Sequence, residues 1–307
     1  MRVLFVGLGS IGSRHLKNLA LELRQRGTAF TVDTLRSGDR QPDAELSQYI
    51  SKSFTCYSQL EQYDAAFITN PTALHLETLK KLVPRAKNIF IEKPVFTDAD
   101  VRLDTLGLKQ DSHYYVACPL RRSPVLRRVA EIISADLPTA VRAICSSYLP
   151  QWRPKTDYKN SYSANPSLGG GVRRDLIHEW DYLTSLFGFP TTTKSFYGKK
   201  SALEIDSEDT AVYVAEYPSL LLSLHVDYTG RAARRELELF LPNETVVADI
   251  QKNEIRYLVS QNTERFSPVD IHRLEMCYFL DLCGGLCDNI NPVDRAVKTL
   301  ETALTDN

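Results

Sequence analysis

The sequence predicts a two-domain α/β protein: a doubly wound parallel sheet over residues 1–120, then a second α/β domain over 121–307 with an antiparallel or mixed sheet. Three observations predict it. Short apolar runs alternate with helical patterns through the first third, as βαβ units require. Gly7, Gly9 and Gly12 stand in G-x-G-x-x-G spacing between the first apolar run and the first helical one. Beyond Arg121 strand-like runs dominate, interrupted by a long polar, aromatic and proline-bearing stretch.

Taken in order, Val3–Val6 reads as a strand and Ser13–Arg26 as a helix with Leu16, Leu19, Ala20 and Leu23 on one face. Ala29–Leu35, Ala65–Thr69, Asn88–Ile91 and Tyr114–Ala117 read as further strands, with a helix over Leu74–Val83. The domain junction falls near Pro119–Pro124. Past it, Pro124–Ser134 reads as a helix, Val141–Tyr148 as a strand and residues 176–187 as a helix. Strands follow at Ala211–Tyr217, Leu220–Tyr228, Arg235–Phe240 and Thr245–Ala248, and helices over 269–286 and 292–305 close the chain.

The 307 residues leave room for two cores, at roughly 100–200 residues per domain. A formal charge of −1 supplies no field favouring nucleic acid or an anionic membrane. No apolar run approaches the ~20 residues that span a bilayer, and the short run after Arg2 does not make a signal peptide. Cys56, Cys118, Cys145, Cys277, Cys283 and Cys287 are scattered without finger-like spacing, so buried thiols and no metal are expected. The expected setting is reducing and cytoplasmic.

In the glycine loop, Gly7 permits a tight turn, Gly9 lets a phosphate reach the backbone and Gly12 lets helix and strand pack closely. Ser10 and Ile11 lie in the loop that leads into the helix, whose N-terminal free N–H groups and partial positive charge suit a pyrophosphate. A methyl-donor nucleotide would suit the loop as well, so the loop alone does not choose NAD(P). The choice between NAD and NADP is written at the end of the second strand. Asp33 there would accept from the ribose hydroxyls of NAD; Arg36 and Ser37, just beyond, would suit the 2′-phosphate of NADP. NADP is slightly favoured.

Four stretches carry a resemblance. "FIEKPV" (90–95), "GGGVRRDLIHEWDY" (169–182), "ITNPTALH" (68–75) and "VACPLRRSP" (116–124) occur in this order across the chain. Together they resemble the signatures of the glucose-fructose oxidoreductase / inositol dehydrogenase / MocA family. The resemblance implies a Rossmann domain, a second α/β domain built on an open, largely antiparallel sheet, and an NAD(P)-dependent reaction on a sugar or cyclitol. It also implies a homodimer or homotetramer, and a cis bond between Lys93 and Pro94.

Lys93 follows an apolar strand, where its ammonium would be partly desolvated and able to hydrogen-bond a substrate hydroxyl and move a proton. Glu92 is placed to orient it; the bland alternative is a solvated Glu–Lys pair. Asp175 and His178 follow the triple glycine at 169–171. The resemblance makes the histidine the acid/base and the aspartate a sugar contact, and an imidazole titrating near neutrality suits that work. His178 stands three residues after Asp175 where the family more often has four, so either Asp175 or Asp181 is expected to support it. Asn70, Pro71 and His75 would line the cofactor, although His75 fits a helix surface equally. Arg121 resembles an active-site arginine and fits a domain-junction charge equally. The loop carrying Trp152, Arg153, Lys155, Tyr158 and Tyr162 suits a sugar, an anionic sugar or a subunit edge.

The reading is therefore an oxidoreductase moving a hydride between a nicotinamide and a secondary alcohol or ketone of a sugar, sugar acid, nucleotide sugar or cyclitol. Lys93 and His178 handle the proton. A non-catalytic NAD(P)-binding sensor is the alternative, and a dinucleotide enzyme of other chemistry is a third.

Overall fold

The computed structural model describes residues 1–36, 44–154 and 156–306. They form two compact units. Met1–Pro119 and Asp270–Lys298 make the first; Leu120–Val269 and Thr299–Asn307 make the second.

The first unit holds β1 (Arg2–Val6), α1 (Ser10–Gln25), β2 (Thr31–Leu35), α2 (Ala44–Ser47), β3 (Ile50–Phe54), β4 (Tyr63–Ile68), α3 (His75–Leu82), β5 (Ala86–Ile91) and β6 (His113–Val116). Its six strands are all parallel, in the order β3-β2-β1-β4-β5-β6. The strand order reverses between β1 and β4, which opens a crevice at their carboxyl ends. Phe5, Phe67, Phe90 and Tyr115 are in register on β1, β4, β5 and β6. They form an aromatic ladder across one face: Phe5 and Phe67 stack at 4.4 Å, and Phe67–Phe90 and Phe90–Tyr115 follow at 5.2 and 5.4 Å. Leu16, Leu19 and Leu23 of α1 belong to the same core.

That ladder explains a departure from the expected domain division. The segment expected to lie wholly in the second domain includes α8 (Ile271–Cys283), which completes the first unit instead. Its Met276, Phe279, Leu280 and Leu282 join the core around the ladder, with Phe279 edge-on to Phe67 and Phe90 at 5.3 and 5.2 Å. Polar bonds fix the join. Glu275 accepts from the Tyr115 hydroxyl and the Cys118 N–H at 2.8 and 2.5 Å, and Asn291 exchanges backbone and side-chain bonds with Val116 on the edge strand. Without α8 these rings would face water, at about 25 cal/mol for each Å² of apolar surface.

The second unit contributes α4 (Pro124–Ala135), β7 (Ala140–Ser146), α5 (Leu149–Trp152), α6 (Val172–Asp175), α7 (His178–Phe187), β8 (Thr192–Gly198), β9 (Thr210–Glu216), β10 (Leu221–Asp227), β11 (Arg234–Phe240), β12 (Thr245–Asp249), β13 (Glu254–Tyr257) and β14 (Asn262–Arg265). The closing helix, α9 (Val293–Ala303), runs from the first unit into the second. The eight strands are ordered β14-β13-β12-β11-β7-β10-β9-β8, antiparallel except for the β7–β10 pair. Burial alternates along β9 and β10: Ala211, Tyr213, Ala215, Leu222 and Leu224 point inward, where Tyr213 meets Trp180 of α7 at 5.3 Å. Phe196, Val214 and Leu221 stay exposed on the other side.

Four strands escape a reading from residues alone: β3, β8, β13 and β14. Each lies at or next to a sheet edge, where few side chains need burial and the apolar alternation fades. The expectation of buried thiols holds for Cys118 and Cys145 only; Cys56 is exposed and the other three are half-buried. Among the described residues no helix is long and apolar enough to cross a membrane.

Candidate active site

At the carboxyl edge of the first sheet, β1 turns into α1 through the glycine loop. Gly7 has φ +88°, and a Cβ there would lie 2.8 Å from the Asn70 backbone. A Cβ on Gly12 would lie 2.7 Å from both the Gly7 carbonyl oxygen and Thr69 Oγ1. These two glycines are needed to pack the loop against the end of β4. Gly9 differs: it caps α1, and a Cβ there would meet nothing within 4 Å. Ser10 is exposed and Ile11 half-buried beside that open space. The arrangement fits a dinucleotide, because the orphan N–H groups of the first helical turn face room for a pyrophosphate.

Asp33 is not placed as the sequence suggested. It sits two residues before the end of β2, buried, with Oδ2 paired to Arg2 at 2.9 Å and accepting from the Tyr63 hydroxyl at 3.1 Å. Burial, then the Asp33 charge, pushes the Tyr63 hydroxyl up to about 12, so it remains a donor. The residue that leaves β2 at its mouth is Arg36, half-buried, whose N–H donates to the Phe54 carbonyl. Ser37 and Lys155 lie outside the described residues.

After β4, Asn70 donates to Thr78 at 2.9 Å and keeps a buried Oδ1 without a hydrogen-bond partner; Pro71 is exposed. His75 is neither surface nor cofactor-lining. It is 1% exposed, with Nδ1 3.1 and 3.2 Å from the Pro94 and Val95 carbonyls and Nε2 2.9 Å from the Asn70 carbonyl. Burial lowers its pKa against those three acceptors. After β5, Glu92 is turned inward to His15 of α1, Oε1 to Nε2 at 2.5 Å, while Oε2 accepts the Lys93 N–H at 3.2 Å. Burial would raise the Glu92 pKa, but the bond and charge of His15 outweigh it and hold the carboxyl below its ordinary value. Lys93 is half-buried and its bond to Pro94 is cis. No sequence signal had drawn attention to His15.

In the second unit the triple glycine packs against protein. A Cβ on Gly170 would come within 2.2 Å of the Tyr162 carbonyl, and Gly171, at φ +118°, would press on Glu208. Three successive side chains of α7 anchor the helix. Glu179 pairs with Arg235 at 2.9 Å, Trp180 packs on Tyr213, and Asp181 is gripped by Arg121 through Nε at 3.0 Å and Nη2 at 2.7 Å. His178, just before them, is half-buried at the start of the helix. Of the two residues expected in the site, Arg121 is thus paired with Asp181, both side chains under 10% exposed.

Asp175 is buried and accepts from the Tyr228 hydroxyl at 2.7 Å. Burial, reinforced by the Asp175 charge, keeps Tyr228 a phenol. Trp152 meets the Tyr228 ring edge-on at 5.2 Å and donates to Ser147. Asp175, Tyr228 and Trp152 thus form one polar and aromatic cluster; Tyr228 had been read only as a strand end. Tyr158 lies apart from them, its hydroxyl accepting from the Glu204 N–H at 3.3 Å. Among the described residues no group of His, Cys, Asp and Glu is arranged to hold a metal.

A parallel sheet with a glycine loop at its switch point, joined to a largely antiparallel sheet, defines the class of two-domain dinucleotide-binding proteins. Residues 1–106 match the GFO_IDH_MocA model, described as an oxidoreductase family with an NAD-binding Rossmann fold. The match lies in the first domain, which is similar to that family of oxidoreductases. It is 26% identical over 257 residues to the uncharacterized oxidoreductase YrbE of Bacillus subtilis, covering 80% of this chain and 72% of that one. Among solved structures it is similar to UDP-N-acetylglucosamine 3-dehydrogenase GnnA from Acidithiobacillus ferrooxidans. There the TM-score is 0.78 and the identity 18%, over 99% of this chain and 95% of that one. It is also similar to the WlbA dehydrogenase from Bordetella pertussis, solved with NADH and UDP-GlcNAcA (TM-score 0.79, 17% identity, 98% and 93% covered). At these identities the structural likeness is one of fold.

Proposed function

We propose that this oxidoreductase transfers a hydride between NADP and a secondary alcohol or ketone of a carbohydrate: a sugar, sugar acid, nucleotide sugar or cyclitol. The observation that carries it is the carboxyl edge of the first sheet, where open space over Gly9, the loop at Asn70 and the half-buried Lys93 follow β1, β4 and β5. NADP, when bound, supplies the hydride acceptor or donor. The N–H groups at Ser10, Ile11 and Gly12 hold its pyrophosphate. Arg36, not the ion-paired Asp33, meets the adenosine ribose, and a guanidinium there favours a 2′-phosphate. Lys93 hydrogen-bonds the reacting hydroxyl, and His178, on a helix pinned at three successive residues, takes or returns its proton. Asp175, Tyr228 and Trp152 supply polar and aromatic contacts to the sugar. GnnA, named for UDP-N-acetylglucosamine, and WlbA, solved with UDP-GlcNAcA, make nucleotide sugars the first substrates to try.

The exposed apolar side chains Phe196, Val214 and Leu221 on the open sheet face are assigned to a second copy of the chain, forming a homodimer or a tetramer of such pairs. The six free thiols suit the cytoplasm. Fluorescence titration with NADPH and NADH, followed by a carbohydrate screen that follows absorbance of the reduced cofactor, tests the reading. Full turnover in the double variant Lys93→Met, His178→Ala would overturn the assigned roles.

A further inference from the structure

The segment that carries Lys93 is held from two sides by histidines that reach it from different helices. From α1, His15 meets Glu92 Oε1 at 2.5 Å, and Glu92 Oε2 accepts the Lys93 N–H at 3.2 Å. From α3, His75 meets the Pro94 and Val95 carbonyls at 3.1 and 3.2 Å. His15 is fully buried, its ring packed on Phe90 at 4.8 Å, and its Nδ1 has no hydrogen-bond partner. Such a site is costly for mere stability. A buried hydrogen-bonded pair is often matched or bettered by hydrocarbon of the same shape, so its use here points to placement of a group.

We infer that His15, acting through Glu92, is a positioning residue for Lys93. The carboxylate bridges the imidazole and the lysine's peptide N–H, which fixes the direction in which the chain leaves β5. His75 fixes the next two carbonyls, and the lysine side chain, anchored on both flanks, presents its amine in one place. Because His15 belongs to the helix whose first turn faces the pyrophosphate, one rigid element sets both the cofactor's phosphates and the lysine. The charged and titratable groups that act on or feel the carboxylate are His15 of α1, His75 of α3, His272 of α8 and Lys93 itself, while Arg14 and Asp270 act on His272. The inference rests on the reading of Lys93 given above.

The test compares the parent with His15→Leu, which removes the donor, and His15→Gln, which keeps an N–H near the position of Nε2. Three quantities are read: NADPH affinity by fluorescence, kcat and KM on a carbohydrate found by the screen, and the rate at which the Lys93 amine is acylated, mapped by peptide mass spectrometry. In His15→Leu, NADPH affinity stays within about threefold while kcat falls about tenfold or more and KM changes less. Lys93 acylation shifts at least threefold, and His15→Gln restores both. If His15→Leu does not fold, the isosteric Glu92→Gln is held to the same expectations for affinity, kcat and acylation. Parent-like kcat and acylation in the folded variant overturn the inference, as does a folded His15→Gln as impaired as His15→Leu. A parent that turns over no carbohydrate removes the catalytic reading of Lys93, and the acylation rates still decide the positioning role.

Discussion

Replacing Gly9 by alanine separates folding from binding within the glycine loop. The backbone at Gly9, φ −73° and ψ −166°, is open to any L-residue, and a Cβ there touches nothing. Alanine at an N-cap costs up to about 1 kcal/mol, and restricting the unfolded chain returns about 0.4–1 kcal/mol. The net change in stability is within about 1 kcal/mol, a few degrees in Tm. Binding fares differently. The added methyl fills the space assigned to the pyrophosphate and displaces it from one or two N–H donors. Each such charge-assisted bond is worth about 1.5–3 kcal/mol. A loss of about 2–4 kcal/mol weakens NADPH about 30- to 1,000-fold. Gly12→Ala is the control, since its Cβ would lie 2.7 Å from the Gly7 carbonyl and from Thr69. Overpacking there costs about 1–3 kcal/mol, so stability and affinity fall together. Thermal melts and fluorescence titrations of the two variants give the answer. Gly9→Ala binding NADPH as the parent does, or melting as low as Gly12→Ala, would refute the loop's assigned role.

Other perturbations address the remaining assignments. Arg36→Glu should weaken NADPH at least tenfold and leave NADH little changed in parallel titrations, whereas Asp33→Asn should lower Tm and leave that preference intact. Asp181→Asn leaves the buried Arg121 guanidinium short of its carboxylate and should cost about 3–5 kcal/mol in urea unfolding; a loss under 1 kcal/mol would show that the pair does not anchor α7. Phe279→Ala should cost about 3–5 kcal/mol by opening a cavity against the aromatic ladder, measured in the same way. Burial, aided by the charge of His15, holds His272 down from 6.5 to about 4. Between those values the unfolded chain binds the extra proton, so stability should fall as pH is lowered from about 6.5 towards about 4. His272→Gln should flatten that slope in melts across the window.

Much of the first sheet was legible because its inner strands are near-continuous apolar runs and its glycines mark a turn that few other residues can make. The edge strand β3 was not, since "ISKSF" buries almost nothing. In the candidate site, Lys93 and His178 stood out by type and context, and each occupies a half-buried position at the end of an element. What spacing does not carry is the partner across the fold. Asp33 looked available until Arg2 and Tyr63 were found on it, and Arg121 until Asp181 was. His15 went unnoticed for the same reason: its meaning lies in Glu92, 77 positions away. The place of α8 was hidden likewise, because an amphipathic helix shows which face it buries but not which sheet it buries it on.

The return of α8 to the first unit bears on how the molecule is made. A ribosome that has finished β6 has released every strand of the parallel sheet, yet Phe67, Phe90 and Tyr115 must wait more than 150 residues for the helix that covers them. At about 5–20 residues per second, the delay is on the order of ten seconds or more. Through that interval the aromatic ladder lacks the Phe279 side chain that packs edge-on against it. A fragment cut at residue 120 would keep the phosphate loop and lose the lid of its own core.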